Sequence, residues 1–337
     1  MKPVILVMGL PASGKSSITK SFAAEGYTVL NRDTEGGRIA SLVPKLKALL
    51  AEGVPVVLDN TNLVMEEREP FIEAAREAGV PIECHWMQTE FDDCQVNALH
   101  RMWDRYQQVF LTADDLKAHP EARKDPNMFP MVALFAAKKR LEGDKKKGAP
   151  SGKPTTAEGF SRIVKVPFIR RPATGTRKAL ILDYDGTLRR DAQEVGGEFH
   201  YPVTLDQVQA LPNRGRVLKD YLDRGYLLLG VTTQSGVAKG HLTEELAQSL
   251  ITETGRQVGY QLGGDTPFVI PTLMCVHGSF PVSCYCRKPQ AGLGVWLTRQ
   301  YNLRPSDCLY VGDLGTDRSF AERCGFQFAE ANQFFKG

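Results

Sequence analysis

The segment Gly9-Leu10-Pro11-Ala12-Ser13-Gly14-Lys15-Ser16 constrains the fold more than any other, because this spacing of glycine, lysine and serine belongs where a strand ends and a helix begins. The apolar run Val4–Val7 precedes it and a helical pattern, Ser17–Ala24, follows. Glycine lets the backbone curl until its N–H groups and the helix N-terminus face an anion, and Lys15 adds a cation to them. A strand that feeds a helix in this way belongs to a parallel sheet with helices packed on it.

The rest of the chain repeats the alternation. Val54–Leu58 and Ile82–Met87 in the first half, then Ala179–Leu182, Leu227–Thr232 and Cys308–Val311 in the second, are short β-rich runs set between amphipathic helical patterns. The expected class is α/β, with two doubly wound parallel-sheet domains. A length of 337 residues at 42% apolar content fills two cores, since single cores stop growing well before this size. Two stretches have linker composition: Glu142–Thr155, which holds Lys145–Lys147, and Arg170–Lys178. Lys and Arg number 42 against 39 Asp and Glu, so the net charge of +3 gives no electrostatic argument for nucleic acid. The Lys-rich run reads as a solvated loop. No apolar stretch approaches the ~18 residues of a membrane span. Met1–Leu10 runs straight into the glycine-rich loop without a cleavage-like segment, so it reads as a first strand, not a signal peptide. Seven cysteines over this length do not make a secreted disulfide framework. The expectation is a soluble protein in a reducing cytoplasm, with no membrane partner.

Within the loop, Gly9, Ser13, Gly14, Lys15, Ser16 and Ser17 are the expected phosphate contacts for ATP or another NTP, with Lys15 on the β/γ charge and the Ser16 hydroxyl as a ligand of Mg²⁺. Asn31-Arg32-Asp33-Thr34 follows the second strand, and Asp33 there either accepts the proton of an attacking hydroxyl or caps a helix. Asp59-Asn60-Thr61-Asn62 follows Pro55–Leu58, where Asp59 either positions metal or substrate or serves as a cap. Arg101 and Arg105 lie i, i+4 on a predicted helix, on one face, either clamping a phosphoryl group or facing solvent.

These segments, together with Pro154-Thr155-Thr156-Ala157-Glu158-Gly159-Phe160 and Val166-Pro167-Phe168, resemble the kinase domain of polynucleotide 5'-kinase/3'-phosphatases. The resemblance implies a P-loop NTPase fold, Asp33 as general base for a 5'-hydroxyl, and lid arginines at Arg101 and Arg105. It also implies Arg38 as a contact to the phosphate at the scissile end, and Asp59 and Asn62 as substrate contacts. In that family the domain closes after the segment at Phe168, which sets the expected domains at 1–170 and 177–337 and makes the Lys-rich stretch a loop.

The second half opens with Leu180-Ile181-Leu182-Asp183-Tyr184-Asp185-Gly186-Thr187, two carboxylates two apart where a strand runs out. Asp183 can attack phosphorus to give an aspartyl-phosphate, while Asp185 protonates the leaving oxygen and later activates water. With Thr232, Cys286-Arg287-Lys288-Pro289, Gly312-Asp313 and Asp317 in order, the set resembles the haloacid-dehalogenase-type phosphatases, with their HAD-like Rossmannoid fold. That implies phosphoryl contacts from Thr232 and Lys288, a substrate contact from Arg287, and Mg²⁺ held by Asp183, Asp185, Asp313 and Asp317. Cys275, His277, Cys284 and Cys286 put three thiols and an imidazole within twelve residues, a donor set suited to tetrahedral Zn²⁺. A closed four-ligand site leaves no open position, so the zinc is expected to be structural. This cluster and Gln234-Ser235-Gly236 resemble the zinc loop of the histidinol-phosphate and heptose-bisphosphate phosphatases. Cys84, Cys94, Cys308 and Cys324 read as inert core thiols.

The order of the two halves resembles end-healing enzymes, which turn 5'-hydroxyl and 3'-phosphate ends of DNA or RNA into 5'-phosphate and 3'-hydroxyl ends. The rival expectation is a metabolic small-molecule kinase fused to a sugar-phosphate or nucleotide phosphatase; a third is a nucleotide-gated binding protein with an inert second half.

Overall fold

The computed structural model describes residues 2–36, 38–144, 148–168, 170, 174–263, 267–281 and 283–336. It divides into two compact units, one of residues 1–98 and 116–170, the other of residues 99–115 and 171–337. Both are α/β units built on a parallel sheet, as the alternation of strand and helix patterns predicts. No helix among the described residues is long and apolar enough to cross a membrane.

In the first unit, β1 (Val4–Met8), β2 (Thr28–Leu30), β3 (Val56–Asp59), β4 (Ile82–Met87) and β5 (Arg162–Val166) lie in the order β2-β3-β1-β4-β5, every described pairing parallel. β1 is central and buried at every position, which is why it reads as an unbroken apolar run. Val4, Leu6 and Met8 pack on one face with Leu58 and Phe71, and Ile5 and Val7 on the other with Tyr27 and Met87. From β1 the chain leaves to one side for β2 and β3 and to the other for β4 and β5. That reversal opens a crevice beyond the carboxyl end of β1, the usual ligand site of such sheets.

The second unit repeats the plan with β6 (Ala179–Leu182), β7 (Leu227–Thr233), β8 (Thr272–Cys275), β9 (Leu309–Gly312) and β10 (Gln327–Glu330) in the order β10-β9-β6-β7-β8, again parallel. β6 is central, so the residues just past β6, β7, β8 and β9 emerge at one edge. Strands β5, β8 and β10 have no counterpart among the runs picked out from sequence, and β3 and β9 each sit slightly further along than expected. Of the two linker-like stretches, Lys145–Lys147 and residues 171–173 lie outside the described residues. Residues 175–177 pack within the second unit: Arg177 bridges Leu303, and its carbonyl accepts the Arg304 N–H at 2.8 Å.

Candidate active sites

β1 delivers the chain to Gly9, whose φ of 153° and surroundings both exclude a side chain: a Cβ there would stand 2.8 Å from Ser13 Oγ and 2.9 Å from Met87 Cβ. Gly14 takes φ 91° immediately before the helix Lys15–Ala24. The loop is braced from outside, since Thr89 Oγ1 donates to the Ser13 carbonyl at 2.7 Å and Asn97 Nδ2 to that of Ala12 at 3.0 Å. Lys15 Nζ donates to the carbonyls of Gly9 and Leu10 at 3.0 and 2.8 Å, which folds the ammonium back over the curl. Ser16 and Ser17 are exposed on the first helical turn, and Ser13 Oγ is buried without a partner among the described residues. A braced glycine curl, an ammonium and a helix N-terminus fit the phosphates of a nucleoside triphosphate.

Two carboxylates stand by this cradle, and neither is a helix cap. Asp33 lies in the short helix Arg32–Glu35, whose cap is Asn31: its Oδ1 accepts the Asp33 N–H at 2.7 Å. The Asp33 carboxylate is thus left half-open to solvent, paired with Arg32 at 2.8 Å. Asp59, at the end of β3, is buried. Burial pushes its carboxyl above the ordinary range, while nearby Lys15 and hydrogen bonds from Thr19 and Asn31 pull it down. Asn31 therefore links the Asp33 backbone to the Asp59 carboxylate. Asn62 is fully buried, at φ 49°, with its amide donating to the Val7 carbonyl at 2.9 Å. Arg38 lines a cavity of about 400 Å³ with Arg32, Glu66, Glu67 and Phe71. Arg101 and Arg105 are in the helix Phe91–Tyr106, in the part that belongs to the second unit.

Arg68 is a residue that the motifs do not announce. It is fully buried, forks onto Glu158 at 2.8 and 2.9 Å, and donates to the carbonyls of Asn62 and Gly152 at 3.0 and 2.9 Å. It ties the loop after β3 to the closing segment around Glu158. Only long-range pairing reveals such a role; a lone Arg on a helix reads as surface.

In the second unit, Asp183 lies just past β6, Thr232 on β7 and Asp313 just past β9. Asp317 comes from the helix Gly315–Cys324. Lys288 Nζ sits between two carboxylates, 2.8 Å from Asp183 and 2.6 Å from Asp317, with Tyr310 Oη at 3.1 Å. Asp183, Asp313 and Asp317 carry oxygens all within 4.8 Å of one another. Three carboxylates around one ammonium leave an excess of buried negative charge. Burial pushes Asp183 up to about 7 although Lys288 pulls it down, and burial with Asp317 pushes Asp313 up to about 6. Asp313 Oδ1 is buried without a partner among the described residues. Orphaned carboxylate oxygen and surplus charge fit a hard divalent cation. Gly186, at φ 74°, makes room for this: a Cβ there would overlap the Asp313 carboxylate.

Asp185, expected with them as a metal ligand, is not in that grouped trio, and its carboxylate is held by other partners. Its Oδ1 accepts from Arg189 Nε at 2.8 Å and its Oδ2 from Gln234 Nε2 at 3.0 Å, while the same Gln234 amide donates to Thr232 Oγ1 at 2.9 Å. Asp183 and Asp185 are thus sorted into different environments, one against Lys288 and one against Arg189. Arg287 donates from Nη1 to the His277 carbonyl at 3.2 Å.

That carbonyl belongs to the cysteine loop, and the structure gathers all four of its donors. Cys275, His277, Cys284 and Cys286 have ligand atoms within 4.8 Å of one another, with His277 Nδ1 3.1 Å from Cys286 Sγ. Hydrogen bonds from Cys275 and Cys286 push the Cys284 thiol far below its usual range, while Cys275 and Cys284 push that of Cys286 far above it, so Cys284 is the member that favours the thiolate. The three sulfurs and one nitrogen fit a tetrahedral metal ion. The loop also touches the segment just past β7, since the Gln234 N–H donates to the Cys275 carbonyl at 2.7 Å.

Comparison with known proteins agrees with this division. The family model for an AAA domain matches residues 4–126. A D-glycero-beta-D-manno-heptose-1,7-bisphosphate 7-phosphatase of Haemophilus ducreyi is 35% identical over 155 residues, 44% of this chain and 79% of that protein. Its namesake in Pasteurella multocida is 31% identical over 142 residues, 41% of this chain and 71% of that protein. A bifunctional polynucleotide phosphatase/kinase of Schizosaccharomyces pombe is 26% identical over 166 residues, which is 49% of this chain and 33% of that longer protein. The chain is an enzyme with a P-loop kinase domain and a HAD-like phosphatase domain, and through the latter it belongs to the family of the heptose-bisphosphate 7-phosphatases.

Proposed function

We propose that this chain heals nucleic acid ends, phosphorylating a 5'-hydroxyl in its first unit and removing a 3'-phosphate in its second. The observation that carries the reading is the pairing of opposite chemistries in one chain: a triphosphate cradle faced by Asp33 and Asp59, and a nucleophile-acid pair at Asp183 and Asp185. A kinase and a phosphatase acting on one position would cancel each other. At the two ends of a strand they do complementary work. The Schizosaccharomyces pombe relative, named for both activities, supports this substrate.

In the first unit Lys15 and the loop N–H groups hold the triphosphate, Ser16 is placed for its metal, and Asp33 takes the proton of the attacking hydroxyl. Arg38, in its cavity beside Arg32, contacts the strand end. In the second unit Asp183 Oδ attacks phosphorus, the P–O bond to the sugar breaks, and Asp185 gives its proton to the departing oxygen. Asp185 then takes a proton from the water that cleaves the aspartyl-phosphate. Lys288 and Thr232 hold the phosphoryl oxygens. A divalent cation, Mg²⁺ by donor type, held by Asp183, Asp313 and Asp317, would offset the repulsion between anionic nucleophile and anionic ester. Zinc in the Cys275–His277–Cys284–Cys286 set would fix the loop that carries Arg287 and Lys288. A reducing cytoplasm would keep these thiols, all unpaired, available as ligands.

The heptose-bisphosphatase relatives favour a second reading, a phosphorylated sugar as the phosphatase substrate. Incubation with Mg²⁺, γ-labelled ATP and an oligonucleotide bearing a 5'-hydroxyl and a 3'-phosphate separates the two. The expected result is label on the 5' end and inorganic phosphate from the 3' end. Turnover of a heptose bisphosphate with no activity on DNA or RNA oligonucleotides would establish the second reading instead.

A further inference from the structure

Two chain segments root at Asp185 and meet again in an aromatic stack. The first leaves the catalytic loop at Arg189 and returns at Ala210. Its base is closed by the Arg189–Ala210 bridge and by the Leu211 N–H on the Leu188 carbonyl at 3.0 Å. Between them this excursion carries Phe199 and Tyr201. The second begins at Gln234, whose amide grips Asp185, and turns through Gly236 to His241, closed by the His241 N–H on the Gly236 carbonyl at 2.9 Å. Gly236 is obligatory there, because a Cβ would lie 2.6 Å from the Tyr201 ring.

The rings are nearly coplanar in direction. Phe199 and His241 stack at 4.1 Å with 19° between planes, and Phe199 and Tyr201 lie 5.6 Å apart at 10°. Tyr201 Oη and His241 Nδ1 are hydrogen-bonded at 2.8 Å, which fixes both rings. Lys239 holds its ammonium 5.7 Å from the Tyr201 centroid. A stack serving only the core would be buried, as Tyr184 and Tyr310 of this unit are. Here His241 is exposed and Phe199 and Tyr201 are half-buried. Parallel aromatic faces beside a cation are the means by which proteins hold bases of single strands without reading sequence.

Resting on the end-healing reading above, we propose that Phe199, Tyr201 and His241 form a stacking platform for the terminal base of the strand whose 3'-phosphate Asp183 attacks. The base of that nucleotide is one sugar removed from the phosphate, and both segments of the platform start at the residue that protonates the sugar oxygen. Lys239 would meet the next phosphate along the strand.

The test compares kcat/KM for an oligonucleotide ending in a base-bearing 3'-phosphate nucleotide with that for the same strand ending in an abasic 3'-phosphate residue. The unaltered chain should prefer the base-bearing end. Phe199→Ala and His241→Ala should each lower that preference by about tenfold, within the range measured for single base-aromatic stacks. Phe199→Trp, which keeps a stacking face, should retain it and so answers any loss through misfolding. No preference in the unaltered chain, or a preference untouched by both alanine variants, would overturn the platform while turnover of the oligonucleotides left the end-healing reading standing. Failure of the unaltered chain to release phosphate from either strand, with hydrolysis of a heptose bisphosphate, would overturn both.

Discussion

Asp185 owes its position to two side chains outside its own motif. Arg189 and Gln234 each take one of its oxygens, and Gln234 also holds Thr232, so one amide sets the proposed acid and the proposed phosphoryl contact together. Gln234→Leu keeps the volume but removes both bonds. Because a positioned general acid contributes about a hundredfold or more, its misplacement should lower the rate of phosphate release by at least about tenfold, with 5' label transfer unchanged. Release at the normal rate would mean that Arg189 alone orients the acid. At this scale the sequence was legible where chemistry fixes spacing: Asp183 with Asp185, and Gly9 to Ser16. It was silent on Arg68, Arg189 and Tyr310, whose roles come from partners distant in the chain or from burial that no local pattern announces. Asp33 and Asp59 were ambiguous between cap and catalytic group; Asn31 caps the helix that holds Asp33 and Val64 stands at the cap of the helix after β3, so neither aspartate caps those helices.

At the scale of elements, the cysteine loop between β8 and the helix Gly292–Gln300 does the most to organise an active site. It begins at Cys275, whose carbonyl holds Gln234, and ends at Arg287 and Lys288. Only Cys275 belongs to a strand, as the last residue of β8, while His277, Cys284 and Cys286 lie outside helix and strand, so the metal is expected to supply what the backbone does not. Complete chelation should lower the melting temperature of the second unit's transition and, by releasing Lys288 and Gln234 together, lower phosphate release, with both recovered when Zn²⁺ is added back. Unchanged melting and unchanged rate after verified metal loss would show that the loop folds on its own hydrogen bonds. The strands that carry the site were readable because β1, β3, β4, β6, β7 and β9 form dense apolar runs. β5, β8 and β10 were not, because each is short or mixed in pattern, Arg162–Val166 mixing exposed and half-buried positions without strict alternation on a sheet edge.

For the molecule as a whole, what matters is that the proposed function draws the reacting groups of its two chemistries from separate sheets. Lys15, Asp33 and Asp59 belong to residues 1–98; Asp183, Asp185, Thr232, Lys288, Asp313 and Asp317 belong to residues 171–337. Lys15→Ala should therefore abolish label transfer while 3'-phosphate release keeps its rate, and Asp183→Ala should do the reverse. Lys15→Ala removes the cation nearest buried Asp59, which keeps its hydrogen bonds from Thr19 and Asn31. Asp183→Ala leaves Lys288 still paired with Asp317, so neither change is expected to unfold its unit. The measurement is a pair of rates for each variant on one oligonucleotide carrying both ends. If Asp183→Ala slowed label transfer about tenfold, the separation of the two chemistries would be overturned.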